Sequence, residues 1–307
     1  MSLYGMFKRA GPTGFGYTST AEQVTDGLDL SGKRILITGT SSGLGQETAR
    51  VLALRGATVL GTGRTVDSAR GALSALPHDP VPLACELSEP ASVRACVEEV
   101  RQGGPLDAIV CNAGIMALPE RTVKHGYELQ FLTNHLGHFL LVTGLLDRLA
   151  PQGRVVMLSS SAHTMAPSEG IRFDDLDASK HYSAWTHYGQ AKLANLLFAR
   201  ELARRLATEG SGERTANAVH PGVIATNLGR HMPAIARLGL AIGTPLFMKS
   251  VPEGASTQTY VAVHPDAAKV SGEYWADCNV AKSSAQGRDP ELARKLWDVS
   301  EQIAEKL

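Results

Sequence analysis

Two residues four apart carry the sharpest chemical signal in the chain. Tyr188 and Lys192, in "YGQAK", open a segment of helical period, so their side chains share one face and set an ammonium beside a phenol. A tyrosine titrates near 10, and using its phenolate at neutral pH means lowering that value by ~3 units, about 4 kcal/mol of preferential stabilisation of the anion. A neighbouring lysine and a second, cofactor-borne cation can supply much of it. Ser160, in "LSSSAH", ends a strand-like run and can donate a hydrogen bond to an oxygen on which charge develops. Asn134, in "TNHLGHF", sits on the helical segment before it. Together these groups suit proton transfer to or from an alcohol or carbonyl oxygen.

A second pattern supplies the other reactant. "RILITGTSSGLG" places Gly39, Gly43 and Gly45, with Ser41, Ser42 and Leu44 among them, directly behind a β-branched run and before the helical "QETARVLALRG". Glycine inside an element costs roughly 0.5–1 kcal/mol relative to alanine, so three together imply a tight turn and a close approach to the backbone. In a strand–turn–helix setting the first glycine permits the turn, the next admits a diphosphate, and the last allows close packing while helix N–H groups face the anion. "CNAG", with Asn112, Ala113 and Gly114, closes the fourth strand where a dinucleotide would lie. At the end of the second strand, "LGTGRT" carries Gly63 and Arg64 where an acidic residue would accept the ribose hydroxyls of NAD. An arginine there favours a 2′-phosphate, so NADP(H) is the expected cofactor, with NAD(H) as the second choice.

These groups need a scaffold, and the chain alternates to provide one. Runs at 34–38, 58–62, 81–85, 107–112, 154–160 and 215–220 read as strands, separated by helical segments such as "EPASVRACVEEVRQ" and "NLLFARELARRLAT". Alternation implies an α/β, doubly wound parallel sheet with right-handed crossovers. Residues 162–184 and 226–250 are too long for ordinary connections, and the second, rich in Leu, Ile and Met, suits equally a substrate loop over an apolar ligand or an ordinary packed helix pair. Residues 1–30 read as an extension outside the sheet and residues 31–307 as one domain.

Composition excludes other classes. The 307 residues are 43% hydrophobic, and 30 basic residues balance 30 acidic ones without long blocks of one sign, which speaks against nucleic acid or a polybasic membrane patch as partner. A small molecule is the expected partner, with a homodimer or homotetramer as the compatible assembly. Cys85, Cys96, Cys111 and Cys278 are widely spaced, as in reduced cytoplasmic proteins. No signal-length apolar stretch and no run of 18 apolar residues is present, so neither export nor embedding is expected. His135 and His138 lie one turn apart without a third ligand at metal spacing, so no metal is expected. Ser160 and His163 lack the GxSxG elbow of a hydrolase. Trp185 and Trp297 read as core or interface residues.

Through these motifs the chain resembles the short-chain dehydrogenases/reductases, and within them the retinol dehydrogenase and WW-domain-oxidoreductase-like branch, over about residues 15–305. "TNHLGHFLL", "AWTHYGQAKLANLLFARELARRL" and "KLWDVSEQ" carry the likeness. The resemblance implies a seven-stranded Rossmann-type sheet, with Tyr188 as acid/base, Lys192 lowering its pKa and holding the ribose hydroxyls, Ser160 orienting the carbonyl and Asn134 holding a water in a proton relay. It further implies that Asn112 supports the central strand and that Pro221, Gly222, Val223 and Thr226 face the nicotinamide. Departures are CNAG for the family's usual NNAG, and Glu86-Leu87 for its usual Asp-Leu beside the adenine. Many retinol dehydrogenases carry an N-terminal anchor that this chain lacks, which points away from retinoid as the natural substrate. The expected activity is NADP(H)-dependent interconversion of an alcohol and an aldehyde or ketone of a small apolar compound. The alternative is a non-catalytic dinucleotide-binding regulator or scaffold on the same fold.

Overall fold

A computed structural model describes Gly5 and residues 8–208, 213–224 and 248–307. Its centre is a sheet of β1 (Arg34–Ile37), β2 (Thr58–Gly63), β3 (Val81–Ala84), β4 (Leu106–Cys111), β5 (Leu149–Leu158), β6 (Thr215–His220), β7 (Tyr274–Ala276) and β8 (Asn279–Val280). The order is β8-β7-β6-β5-β4-β1-β2-β3, parallel throughout except for β8 against β7. The six strand runs read from the sequence are all present.

The central strands are apolar on both faces because both are covered. Leu36 of β1 packs with Leu60, Ile109 and Val155 in one core, while its neighbours Ile35 and Ile37 pack with Val59, Val110 and Val156 in the other. The covering helices are α1 (Gly43–Leu54), α2 (Val66–Leu73), α3 (Pro90–Arg101), α4, α5 (Ala184–Thr208), α6 (Val251–Val263) and α7 (Pro290–Ala304). Helix α4 is composite, Leu129–Phe131 and Gly137–Thr143 with a π-helical turn, Leu132–Leu136, between them.

The sheet has one strand more than the seven expected. Asp277 and Cys278 both adopt left-handed backbone, φ 51° and 60°, and form a two-residue turn that folds β8 antiparallel onto β7, with Asn279 opposite Ala276. Such turns need positive φ at both central residues, usually supplied by Asn-Gly or Asp-Gly. The "DC" found here carries no such signature.

The described part of the first 30 residues adds no strand to the sheet. It lies along α6, where the Phe15 ring meets Tyr260 and His264 edge-on at 5.7 Å and Thr13 Oγ1 donates to the Cys278 carbonyl at 3.1 Å. In the span 162–184, a short 3₁₀ turn, Ser161–Met165, is followed by irregular chain up to α5. The proposed substrate loop at 226–250 falls outside the described residues up to 247, as does Thr226. All four cysteines are buried and unpaired by disulfides. Among the described residues no helix is long and apolar enough to cross a membrane.

Candidate active site

The C-terminal ends of β1 to β6 lie along one edge of the sheet, and the connection order reverses between β1 and β4, where open α/β sheets bind ligands. A cavity of about 560 Å³ opens there, within the usual range for a small-molecule site. The turn after β1 contributes Gly39, Ser41, Ser42, Gly43 and Leu44, and the end of β2 contributes Gly63 and Arg64. Glu86 and Leu87 follow β3, and Asn112, Ala113 and Gly114 follow β4.

The glycine turn leaves no room for side chains. Gly39 has φ +73°, and a Cβ there would sit 2.9 Å from the Ala113 Cβ. Gly45 does not line the cavity but packs behind it, where a Cβ would come within 2.3 Å of the Gly39 carbonyl oxygen. Ser42 caps α1 in extended conformation without a side-chain hydrogen bond to the first turn, so the leading N–H groups of the helix stay available for an anion. Asn112 Nδ2 donates to the Thr38 carbonyl at 2.9 Å, tying β4 to β1, and Gln258 of α6 supports Asn112 Oδ1 at 3.1 Å.

At the β2 end the crowding also bears on specificity. A Cβ on Gly63 would lie 2.3 Å from Ser68 Oγ and 2.9 Å from the Ala69 nitrogen. Arg64 is exposed, borders the cavity and makes no ion pair among the described residues. Glu86 Oε1 is taken up by Ser88, accepting its N–H at 3.1 Å and its hydroxyl at 2.9 Å. The glycine turn and the available N–H groups at the start of α1 fit the diphosphate of a nucleotide.

The proton-transfer groups Asn134, Ser160, Tyr188 and Lys192 do not line the cavity; they meet behind its wall at Leu158 and Ile115. Ser160 ends the chain path out of β5; its Oγ accepts from the Ala162 N–H at 3.2 Å, which leaves its own hydrogen to donate. Its hydroxyl pulls the pKa of the Tyr188 phenol downward. Lys192 is 3% exposed and its Nζ donates to the Leu158 carbonyl at 2.9 Å, 5.6 Å from the centre of the Tyr188 ring. Ser159 Oγ fixes the helix that carries them by donating to the Lys192 carbonyl at 2.7 Å. Asn134 lies within the π-helical turn and its amide pairs with Ile115, accepting from the N–H at 2.8 Å and donating to the carbonyl at 2.9 Å. Gly114 lets these groups converge, since a Cβ there would stand 2.9 Å from Asn134 Oδ1 and 3.6 Å from Lys192 Nζ. Leu158 and Ile115, the two anchoring residues, both line the cavity.

Burial sets the charges. It pushes the Tyr188 phenol up to about 12, against a downward pull from the Ser160 hydrogen bond, and pushes the Lys192 ammonium down to about 8. The phenol is therefore protonated at neutral pH in this environment, and the lysine is mostly charged. The expected lowering of the phenol by Lys192 is not found: burial raises it, and the only opposing pull comes from Ser160.

Other expected residues lie further off. Pro221, Gly222 and Val223 do not line the cavity; Gly222 has φ +94°, with the Lys249 side chain where its Cβ would be. His135 and His138 are buried and bonded to Ser300 and to Thr38 and Asn134, respectively. Trp297 is core, whereas Trp185 is 39% exposed with its ring edge-on to Tyr188 at 6.2 Å, so of its two readings, core or interface, it is not core. Sequence reasoning passed over Ser68 and Met116, which line the cavity, and Thr38. Ser68 had a usable signal, the Thr65-x-x-Ser68 capping box that starts α2.

Comparisons with known proteins agree with this geometry. The family described as short chain dehydrogenase matches residues 33–173. A chloroplastic short-chain dehydrogenase, TIC 32 A of Brassica napus, is 43% identical over the whole of both chains. Retinol dehydrogenase 14 of Mus musculus is 40% identical over 89% of this chain and 86% of its own. Among solved structures, an uncharacterised protein from Mycobacterium Paratuberculosis superposes with a TM-score of 0.76 at 32% identity, covering 92% of this chain and 97% of the other. A blue fluorescent protein from a metagenomic library, in complex with NADPH, gives 0.63 at 28% identity over 81% and 97% of the two chains.

Proposed function

The chain belongs to the short-chain dehydrogenases/reductases, oxidoreductases acting on CH–OH and C=O groups, and on that premise we propose that it is an NADP(H)-preferring reductase of apolar aldehydes or ketones, working also in reverse on the alcohols. The observation that carries the proposal is the convergence of Tyr188, Ser160 and Lys192 beside a cavity wall formed by Leu158 and Ile115.

In this reading the glycine turn and the α1 N-terminus would hold the diphosphate, Arg64 would take the 2′-phosphate, and Lys192 would bind the ribose hydroxyls. The nicotinamide, when bound, gives or takes the hydride. Ser160 donates its hydroxyl hydrogen to the carbonyl oxygen and fixes its orientation. Tyr188 gives its phenolic proton to the same oxygen as negative charge builds there, and Lys192 stabilises the phenolate left behind. In alcohol oxidation the phenolate takes that proton back. NADP(H) preference is supported by Arg64, which has no ion-pair partner among the described residues, and by the crowding at Gly63, where an acidic side chain has no space. The exposed Trp185 ring beside Tyr188 supports an apolar substrate.

Cofactor oxidation over a panel of aliphatic and aromatic aldehydes and ketones tests the proposal. NADPH-dependent turnover of apolar members is expected. Tight NADPH binding without turnover of any carbonyl would instead mark a dinucleotide-binding regulator.

A further inference from the structure

His138 touches no reacting group, yet it is wholly buried and both of its ring nitrogens are engaged. Nδ1 lies 2.9 Å from the main-chain carbonyl of Asn134. A carbonyl only accepts, so Nδ1 carries the proton. Burial holds the imidazole neutral, with its pKa down at about 4, so Nε2 is bare and accepts the Thr38 hydroxyl at 2.9 Å. The Thr38 oxygen in turn accepts the Ala113 N–H at 2.9 Å, and every hydrogen in the chain is accounted for.

Asn134 closes this chain into a ring. Its side-chain amide is doubly bonded to Ile115, two residues beyond Ala113. The path therefore runs from the end of β4 through Asn134 and His138 to Thr38 at the end of β1, and back to β4. It joins the glycine turn, the "CNAG" turn and the π-helical turn, each of which borders the proposed cofactor site. Single π turns disrupt the regular helical ladder and recur at functional sites. Here the carbonyl at the centre of the turn has a side-chain donor of its own.

We propose that His138 is a positioning residue for the carbonyl reaction, holding the Asn134 main chain and the turn carrying Gly114 in the register that Lys192 and Tyr188 require. The proposal rests on the carbonyl reductase reading of the site. A neutral histidine suits the task because one flat ring presents a donor and an acceptor on different sides, with Asn134 and Thr38 fixed at the separation the ring spans. Misplacing reacting groups by ~1 Å costs on the order of 10²-fold in rate.

The two bonds separate by substitution. His138→Asn keeps a donor near the position of Nδ1, and His138→Gln keeps an acceptor near that of Nε2. With NADPH and a substrate from the panel, His138→Gln should lower kcat roughly 10- to 100-fold with the Kd for NADPH within about threefold of wild type, and His138→Asn should recover most of the loss even where it melts no higher. Equal losses in both variants, or a kcat that follows the melting temperature, would show His138 to be packing alone. Ring ¹⁵N NMR of the wild type at pH 7 gives a readout independent of turnover and of whether the variants fold. A proton on Nδ1 and none on Nε2 is expected; the opposite tautomer, or an imidazolium, would overturn the assignment. A wild type that reduces no carbonyl would defeat the proposed activity, and the tautomer would still decide whether the ring exists.

Discussion

Lys192 Nζ lies 5.6 Å from the centre of the Tyr188 ring, and both residues are buried in the first half of one long helix. Their pKa values move in opposite senses, the phenol up to about 12 and the ammonium down to about 8, because burial disfavours the charged form of each. The pair is set to deliver a proton rather than to store a phenolate. Tyr188→Phe should leave NADPH binding nearly intact and cut turnover by ~10²–10⁴-fold, the usual contribution of general acid–base catalysis. Turnover within a few-fold of wild type on a confirmed substrate would remove Tyr188 from the mechanism.

Lys192 has its own pH signature. Its charge stabilises the phenolate formed in reduction, and that charge is lost as pH rises through about 8. Carbonyl reduction should therefore hold steady below about 8 and decline above it. A flat kcat profile from pH 6 to 10 would show that the lysine charge is not used.

Arg64 is expected to recognise the 2′-phosphate. A charge-assisted hydrogen bond is worth ~1.5–3 kcal/mol, so Arg64→Ala should weaken NADPH roughly ten- to a hundredfold and leave NADH nearly unchanged. Dissociation constants for both cofactors decide it; equal losses, or a wild type that prefers NADH, would reverse the assignment. Gly63→Asp should not convert the enzyme to NADH. The new Cβ would meet Ser68 Oγ and the Ala69 nitrogen, so both cofactors should bind less well and the melting temperature should fall.

Gly45→Ala probes the glycine turn. Its Cβ would stand 2.3 Å from the Gly39 carbonyl oxygen and 2.5 Å from Asn112 Nδ2. Overpacking of this kind costs ~1–3 kcal/mol and displaces backbone. Calorimetry should show a lower melting temperature and a loss of the stabilisation that NADPH confers on the wild type. An unchanged NADPH-induced rise in melting temperature would mean that the turn does not hold the diphosphate.

Two buried histidines and one half-buried one predict the acid limb of stability. Burial is the leading cause of the lowering of His135 to about 3 and of His138 and His220 to about 4, from an ordinary value of 6.5. Above pH 6.5 both folded and unfolded chains hold them neutral, and their contribution is complete. As pH falls below 6.5 the unfolded chain takes up protons that the fold refuses, so stability is lost progressively until about pH 3–4. A tenfold difference in proton affinity between folded and unfolded chains is worth about 1.4 kcal/mol per group, so unfolding midpoints in urea should drop steeply between pH 6.5 and 4. A midpoint constant over that range would show that these histidines are charged in the fold.

What the sequence determined by itself was local or periodic. The six strand runs, the glycine turn and the Tyr188–Lys192 spacing follow from side-chain period and from φ demands within a few residues, so they were legible one after another along the chain. The tertiary structure decided what depends on residues far apart in sequence. Thr38 and His138, a hundred positions apart, meet only because β1 and β4 are neighbours and α4 crosses their ends. The crowding at Gly63 comes from the start of α2 folding back over its own strand, and the turn that makes β8 is held by Cys278, buried against Ser256 and Thr257 of α6. The direction in which the Tyr188 pKa moves belongs with these. A phenol four residues from a lysine suggests a lowered pKa, but burial, a property of the assembled fold, raises it, and the opposing pull comes from Ser160.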